Sequence, residues 1–132
     1  MKSMLLSLRV HKDPYAVIRF KPDAEVPDWL GDSPFFSVTR TKNELSVVCR
    51  QPDSDLIESA INKDWRIIEA EGPLDFSLSG IIADISGIFK KFQISTFTVS
   101  TYDTDYFLVG NKDLDKSIEC LRAAGHTVTF EK

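Results

Sequence analysis

The chain has 132 residues, 42% of them hydrophobic and 27% charged, and a formal net charge of −4. That length suits one compact domain, or two small units sharing a core, and leaves no room for a separate catalytic domain beside them. Residues 1–63 carry nine basic and nine acidic side chains and residues 64–132 carry seven and eleven, so by halves the excess acidity falls in the second. With no basic cluster to offset it, a polyanion meets net repulsion, which argues against nucleic acid and against an anionic membrane surface.

The chain opens on Met1-Lys2-Ser3-Met4-Leu5-Leu6, where Arg9 and His11 interrupt the apolar run too early for a signal peptide. No apolar stretch approaches the roughly 20 residues of a membrane span, and a cytoplasmic location is the expectation. Residues 5–10 read as a strand whose partner the sequence does not identify. Residues 15–22 alternate as a second strand, and residues 24–31, with Pro27 and a terminal Gly31, support one or two helical turns at most. Residues 36–48 then spell strand, polar turn, strand, which is a β-hairpin. Leu56, Ile57, Ala60 and Ile61 place a helix over residues 53–62.

The second half repeats this plan with fewer losses. Residues 65–71 are strand-like, and Leu78, Ile81, Ile82, Ile85, Ile88, Phe89 and Phe92 recur at three- and four-residue steps, which predicts a helix over residues 77–92. Strands over residues 94–100 and 104–109 form a second hairpin. Leu114, Ile118, Leu121 and Ala124 place a helix over residues 113–124, stopped by Gly125 as a C′ residue, and residues 126–130 close on a strand. Residues 36–48 align without gaps on residues 97–109, an offset of 61, whereas residues 15–22 resemble residues 66–73 at an offset of 51. Ten residues are therefore missing between strand and hairpin in the first copy, where the long helix stands in the second.

Two tandem βαββαβ units follow, an α+β chain in which residues 1–63 form a unit with a truncated first helix and residues 64–132 a complete one. This is the ferredoxin-like order, giving antiparallel sheets with helices on one face. The stretches that begin at Gly72-Pro73-Leu74-Asp75, at Ser100-Thr101-Tyr102-Asp103 and at Ala124-Gly125-His126, together with residues 36–48, resemble the motifs of small stand-alone tandem ACT-domain proteins. That family is similar to the ACT regulatory domains of aspartate kinase and to the cytosolic arginine sensors of vertebrates. The resemblance runs from about Tyr15 to the C-terminus. It implies an ACT fold, a regulatory role and an amino acid as the usual class of ligand.

In ACT folds the loop between first strand and first helix lets a small ligand approach helix-start amides, and here that loop spans residues 74–81. Free amides at a helix start attract a carboxylate. Gly80 resembles the family glycine, whose missing Cβ permits close backbone approach, and Asp75 suits a ligand ammonium. Phe76, Ser77, Ser79 and Ile81 complete the loop. Asp75 and Ser77 serve equally well as a helix N-cap. Ser100, Thr101, Thr104 and Asp105, with Asp103, form a second polar cluster at the hairpin turn. They fit hydrogen bonds to a ligand at an ACT–ACT contact, and they also fit plain turn chemistry. Thr39, Thr41 and Glu44 hold the equivalent places in the first copy, where no counterpart of the 75–80 loop remains.

Other chemistry is sparse. Cys49 and Cys120 lack CxxC spacing and read as buried reduced thiols. His11 and His126 lie in a polar loop and just past a helix stop, and read as solvated or capping histidines outside any metal motif. No Walker loop, GxGxxG, GxSxG or HExxH occurs, and no nucleophile accompanies Asp103 and Asp105. Neither a cofactor, a metal site nor enzymatic activity is expected. The sequence supports a small-molecule sensor, or a ligand-free module that pairs with a copy of itself or with a partner protein through its sheets.

Overall fold

A computed structural model describes residues 5–51, 60–72 and 80–132. By their internal contacts these belong to two units: Asp13–Trp65, nested within the chain, and a split unit made of Met1–Lys12 and Arg66–Lys132. The division redistributes the charge. The nested unit carries six basic and ten acidic side chains and the split unit ten of each, so by units the net −4 falls on the nested one.

In the nested unit, β2 (Tyr15–Phe20), β3 (Phe36–Arg40), β4 (Leu45–Arg50) and the first part of β5 (Ala60–Ala70) stand in the order β3-β4-β2-β5, all antiparallel. This is the ferredoxin-like order of an ACT sheet. Alternation sends Ala16, Ile18, Leu45, Val47 and Cys49 to one face, where they are buried with Leu30. Leu30 comes from a single 3₁₀ turn, Asp28–Asp32, preceded by Pro27. That turn is all that stands where the other unit has its long helix, as the proline and the short spacing predict.

The helix expected over residues 53–62 is not met at its C-terminal end. Residues 53–59 lie outside the described residues, and Ala60, Ile61 and Asn62 are already strand, with Ile61 opposite Ile18 and packed on the nested core. Three- and four-residue spacing over so short a run does not exclude a strand, and pairing with β2 decides it. The pairing of β5 with β2 is irregular: Tyr15 faces Trp65 but Val17 faces Asn62, which leaves one extra residue on β5. Asp64 takes the left-handed conformation there (φ 68°), one of the few non-glycine types that tolerate it, and Gln51 brackets it by accepting from its amide at 2.8 Å.

The split unit holds the second part of β5 with β1 (Ser7–Val10), α1 (Ile81–Lys91), β6 (Thr96–Ser100), β7 (Asp105–Gly110), α2 (Leu114–Ala123) and β8 (Thr127–Phe130). Its strands run β6-β7-β5-β1-β8. In a plain ferredoxin-like sheet the first and last strands are neighbours, whereas here β1 is inserted between them. It pairs antiparallel with β5 (Leu8 facing Ala70) and therefore parallel with β8 (Leu8 facing Val128). The leading strand, without a partner in the sequence, thus occupies the interior of the sheet. Its alternation fits: Leu8 and Val10 are fully buried on the helix side, and Arg9 points away.

Both helices cover that side. Ile81, Ile85 and Phe89 of α1 and Leu114, Ile118 and Leu121 of α2 close over Leu6, Leu8, Val10, Ile68, Phe107, Val109 and Val128. Phe89 meets Phe107 edge to face with centroids 6.5 Å apart. Of the predicted α1 positions, Ile82 and Phe92 remain exposed, and the described helix begins at Ile81. At the end of α2, Gly125 (φ +100°) donates to Arg122 O and His126 to Leu121 O, the two hydrogen bonds of a Schellman stop.

The hairpin repeat is real, but its offset is 60 and not 61. Arg40 pairs with Leu45 and Ser100 with Asp105, and the turns close through Thr41 N to Glu44 O and Thr101 N to Thr104 O. Matching Phe36 to Phe97 slips the register by one residue, which would exchange the two faces of every strand. The core confirms the 60-residue match, since Val47 and Cys49 correspond to Phe107 and Val109.

Gly125 supplies a test of the stop. An alanine there meets both the left-handed backbone and Leu5 Cδ2, 3.1 Å from its Cβ. Urea unfolding of Gly125→Ala should lose about 1–2 kcal/mol, whereas Gly31→Ala, with nothing within 4 Å of its Cβ, should stay within about 0.5 kcal/mol of the parent.

Candidate functional site

Two sequence-predicted groups, the loop ahead of α1 and the β6–β7 turn, lie in the split unit. Asp75, Phe76, Ser77 and Ser79 fall outside the described residues. Gly80 is the N-cap of α1 and Ile81 its first, buried residue. Gly80 has φ +83°, and a Cβ added there would meet nothing within 4 Å. Glycine is therefore favoured at this position by backbone conformation. Gly80 O accepts the Asp84 amide at 2.7 Å. The amides of Ile81, Ile82 and Ala83 have no intrahelical acceptor by the geometry of any helix start. Asp84 in the first turn already offers that positive end a carboxylate.

The other four residues are brought together by the hairpin. Ser100 ends β6 and its hydroxyl donates to Asp105 Oδ1 at 2.6 Å across the closing pair. Thr101 Oγ1 accepts from the Thr104 amide at 3.3 Å and lies 3.1 Å from Thr104 O. Thr104 is buried and donates its hydroxyl to Ala70 O at 2.6 Å. The turn is thereby fastened to the end of β5, two residues ahead of Gly72. All three hydroxyls find partners within the fold. Thr41 plays the same part in the nested unit, accepting from the amides of Asn43 and Glu44 at 3.1 and 3.2 Å.

Both histidines differ from their expected roles. His126 is buried, and its Nδ1 accepts the Leu6 amide at 3.1 Å. Burial pushes its pKa below the ordinary value, and Asp84 acts weakly in the other direction. As the residue after the Schellman glycine it turns inward, a position that local spacing does not single out. His11 sits 2.7 Å from Glu69 Oε1 and edge-on to the Tyr106 ring, and Glu69 also faces Arg9 at 3.5 Å. Burial, then Glu69 and Asp103, raise the Tyr106 pKa. Both cysteines are free and buried, and burial alone pushes the Cys49 thiol up to about 11.

A shallow groove of about 320 Å³ lies elsewhere, lined by Asp115, Ile118, Glu119 and Arg122 of α2 and by Phe130. The sequence does not signal it, because it is made by the end of β8 passing α2. Among the described residues no group of three or more His, Cys, Asp or Glu side chains is placed to hold a metal ion, and no helix is long and apolar enough to cross a membrane.

The family model described as ACT domain matches residues 60–123, and a model of an N-terminal domain matches residues 13–54. A crystal structure of a protein from Agrobacterium tumefaciens superposes with a TM-score of 0.87 at 30% identity, covering 98% of this chain and 96% of that one. The chain belongs to the ACT-domain family. The human cytosolic arginine sensor for mTORC1 subunit 1 is 30% identical over 95 residues, 67% of this chain. The match takes in only 29% of that protein, so the chain spans less than a third of the curated relatives it resembles. Aspartokinase III of E. coli, solved with aspartate and ADP, has the same fold at 10% identity, with a TM-score of 0.62 over 92% of this chain and 34% of its own. These neighbours share the fold described above.

The hairpin bonds can be weighed separately. Thr104→Val keeps the shape but removes a buried donor, and should cost about 1–2 kcal/mol in a denaturant titration. Ser100→Ala breaks an exposed bond, and should change stability by less than about 0.5 kcal/mol.

Proposed function

We propose that the chain is a regulatory protein that binds a small zwitterion, an amino acid, at the end of the split unit formed by residues 75–81 and the β6–β7 turn. The observation that carries the reading is the start of α1: a left-handed glycine N-cap with no atom of the described residues within 4 Å of where its Cβ would stand. Helix-start amides suit a ligand carboxylate, and Asp75 is the group assigned to its ammonium. Phe76, Ser77, Ser79, Gly80 and Ile81 line the same loop, with Ser100, Thr101, Thr104 and Asp105 at the turn. The relatives support the ligand class, since one is described as an arginine sensor and another was solved with aspartate. In this reading the protein is not an enzyme, needs no cofactor, and works in the cytoplasm, as a cytosolic relative suggests.

A second reading rests on the hairpin. Ser100, Thr101 and Thr104 spend their hydroxyls on Asp105, Thr104 O and Ala70 O. A turn satisfied from within also suits a ligand-free module that joins a second copy or a partner protein through its sheet edges.

Thermal unfolding in the presence of each free amino acid separates the two. At a ligand concentration about a hundredfold above Kd, the stabilisation is about 2.7 kcal/mol, and at least one amino acid should raise Tm by about 5 °C or more. Asp75→Ala should abolish that rise while leaving the ligand-free Tm near the parent value. A flat panel at millimolar concentrations leaves the interaction module.

A further inference from the structure

The edge of the split unit's sheet is held by an unusual pair of contacts. Strand β8 ends the strand order and, among the described residues, pairs with β1 alone, in parallel. The seam closes through the amides of Thr127 and Glu131, which donate to Leu6 O at 3.0 Å and Val10 O at 2.8 Å. At each end a side chain next to β8 accepts an amide of the leading segment in return. His126 Nδ1 accepts from Leu6 N at 3.1 Å, and Glu131 Oε2 accepts from Lys12 N at 2.9 Å. We propose that these two acceptors form a proton-operated latch, so that mild acid loosens the β1–β8 seam and frees an edge of β1 while β1 stays paired with β5.

Each acceptor works only when its atom is unprotonated. A proton on Nδ1 would set an N–H against the Leu6 N–H in a site with little water, and a proton on the Glu131 carboxyl removes the charge that strengthens its bond. Asp84 of α1 is the acidic group acting on His126, and it eases protonation. Glu131 is influenced by Arg9, His11 and Lys12, which favour its ionised form. Both folded-state pKa values are depressed: His126 by burial, and Glu131 chiefly by the Lys12 amide. The stability each contributes is therefore present above its unfolded pKa and lost as pH falls through the folded one. For His126 that window opens below the ordinary 6.5, and for Glu131 below the ordinary 4.5.

The opposite side of β1 responds differently. Arg9 and His11 both face Glu69 on β5, at 3.5 and 2.7 Å. The β1–β5 seam closes through His11 N to Ile67 O and Glu71 N to Ser7 O, with no titratable acceptor in the ladder itself. The last strand, and not the leading one, is the element that acid releases. What it uncovers is a run of backbone donors and acceptors along β1.

Amide hydrogen exchange on the full chain tests the latch, with rates corrected for the intrinsic effect of pH. Between about pH 7.5 and pH 5.5 the protection of Thr127, beside His126, should fall about fivefold, while that of His11 and Glu71 holds and that of Glu131 falls only below about pH 4.5. In His126→Asn, which offers a non-titrating acceptor, the fall should shrink to less than about twofold. Equal loss at all four amides, no loss at Thr127, or an undiminished loss in His126→Asn would overturn the proposal. Should that variant not fold, an NMR titration of the parent serves instead. The Leu6 amide must then report the same midpoint as the His126 ring, and a Leu6 amide that ignores the ring titration has the same negative meaning.

Discussion

The split unit depends on the insertion of β1 between β5 and β8. Three strands there share one constraint: a buried ladder needs every amide and carbonyl paired, and β1 supplies the pairs on both of its edges. Its side chains answer to the same geometry, with Leu6, Leu8 and Val10 entering the core that α1 and α2 close. Removing four residues of strand would leave the first and last strands of the unit without their neighbour and expose the floor under both helices. The chain's two ends are therefore tied into one core, and the segment between them, Asp13–Trp65, is a self-contained insertion.

That insertion shows how little helix an ACT-type sheet requires. A 3₁₀ turn of five residues delivers one buried side chain, Leu30. The core beneath it is made by Ala16, Ile18, Leu45, Val47 and Cys49, small or β-branched residues for the most part. The turn is fastened at both ends through backbone carbonyls: Arg40 bonds Pro22 O and Ala24 O, and Arg50 bonds Asp32 O. Side chains from the hairpin thus replace the hydrogen-bond ladder that a full helix would carry internally. The excess of acidic residues also resides in this unit, so its surface and that of the split unit differ in electrostatic character.

The polar end of the split unit combines order with restraint. The turn at Thr101–Thr104 is a closed network, and the start of α1 is an open one. A ligand recognised at such a place would find donors already oriented on the helix and would disturb few existing bonds. The nested unit has the closed turn, through Thr41, without an open helix start, and the asymmetry between the two copies is chemical as well as structural.

Much of this was legible in one dimension. The period of α1, the stop at Gly125, the truncation signalled by Pro27 and Gly31, the two hairpins and the buried thiols are local patterns, and local patterns report local geometry. The loop ahead of α1 was legible as a candidate through Gly80, whose left-handed backbone (φ +83°) only the structure displays. Other features were decided only by tertiary structure. The hairpin repeat is 60 residues and not 61 because turn bonds and core-facing alternation, not the best match of phenylalanines, set register. Residues 60–62 are strand because β2 is there to pair with them. Placing β1 beside β8 and burying His126 against Leu6 both join residues some 120 positions apart, and no window along the chain contains both partners. Sequence by itself thus determined the elements and the faces they bury, while the pairing of the chain's two ends, on which the split unit rests, exists only once distant backbone donors and acceptors are brought together.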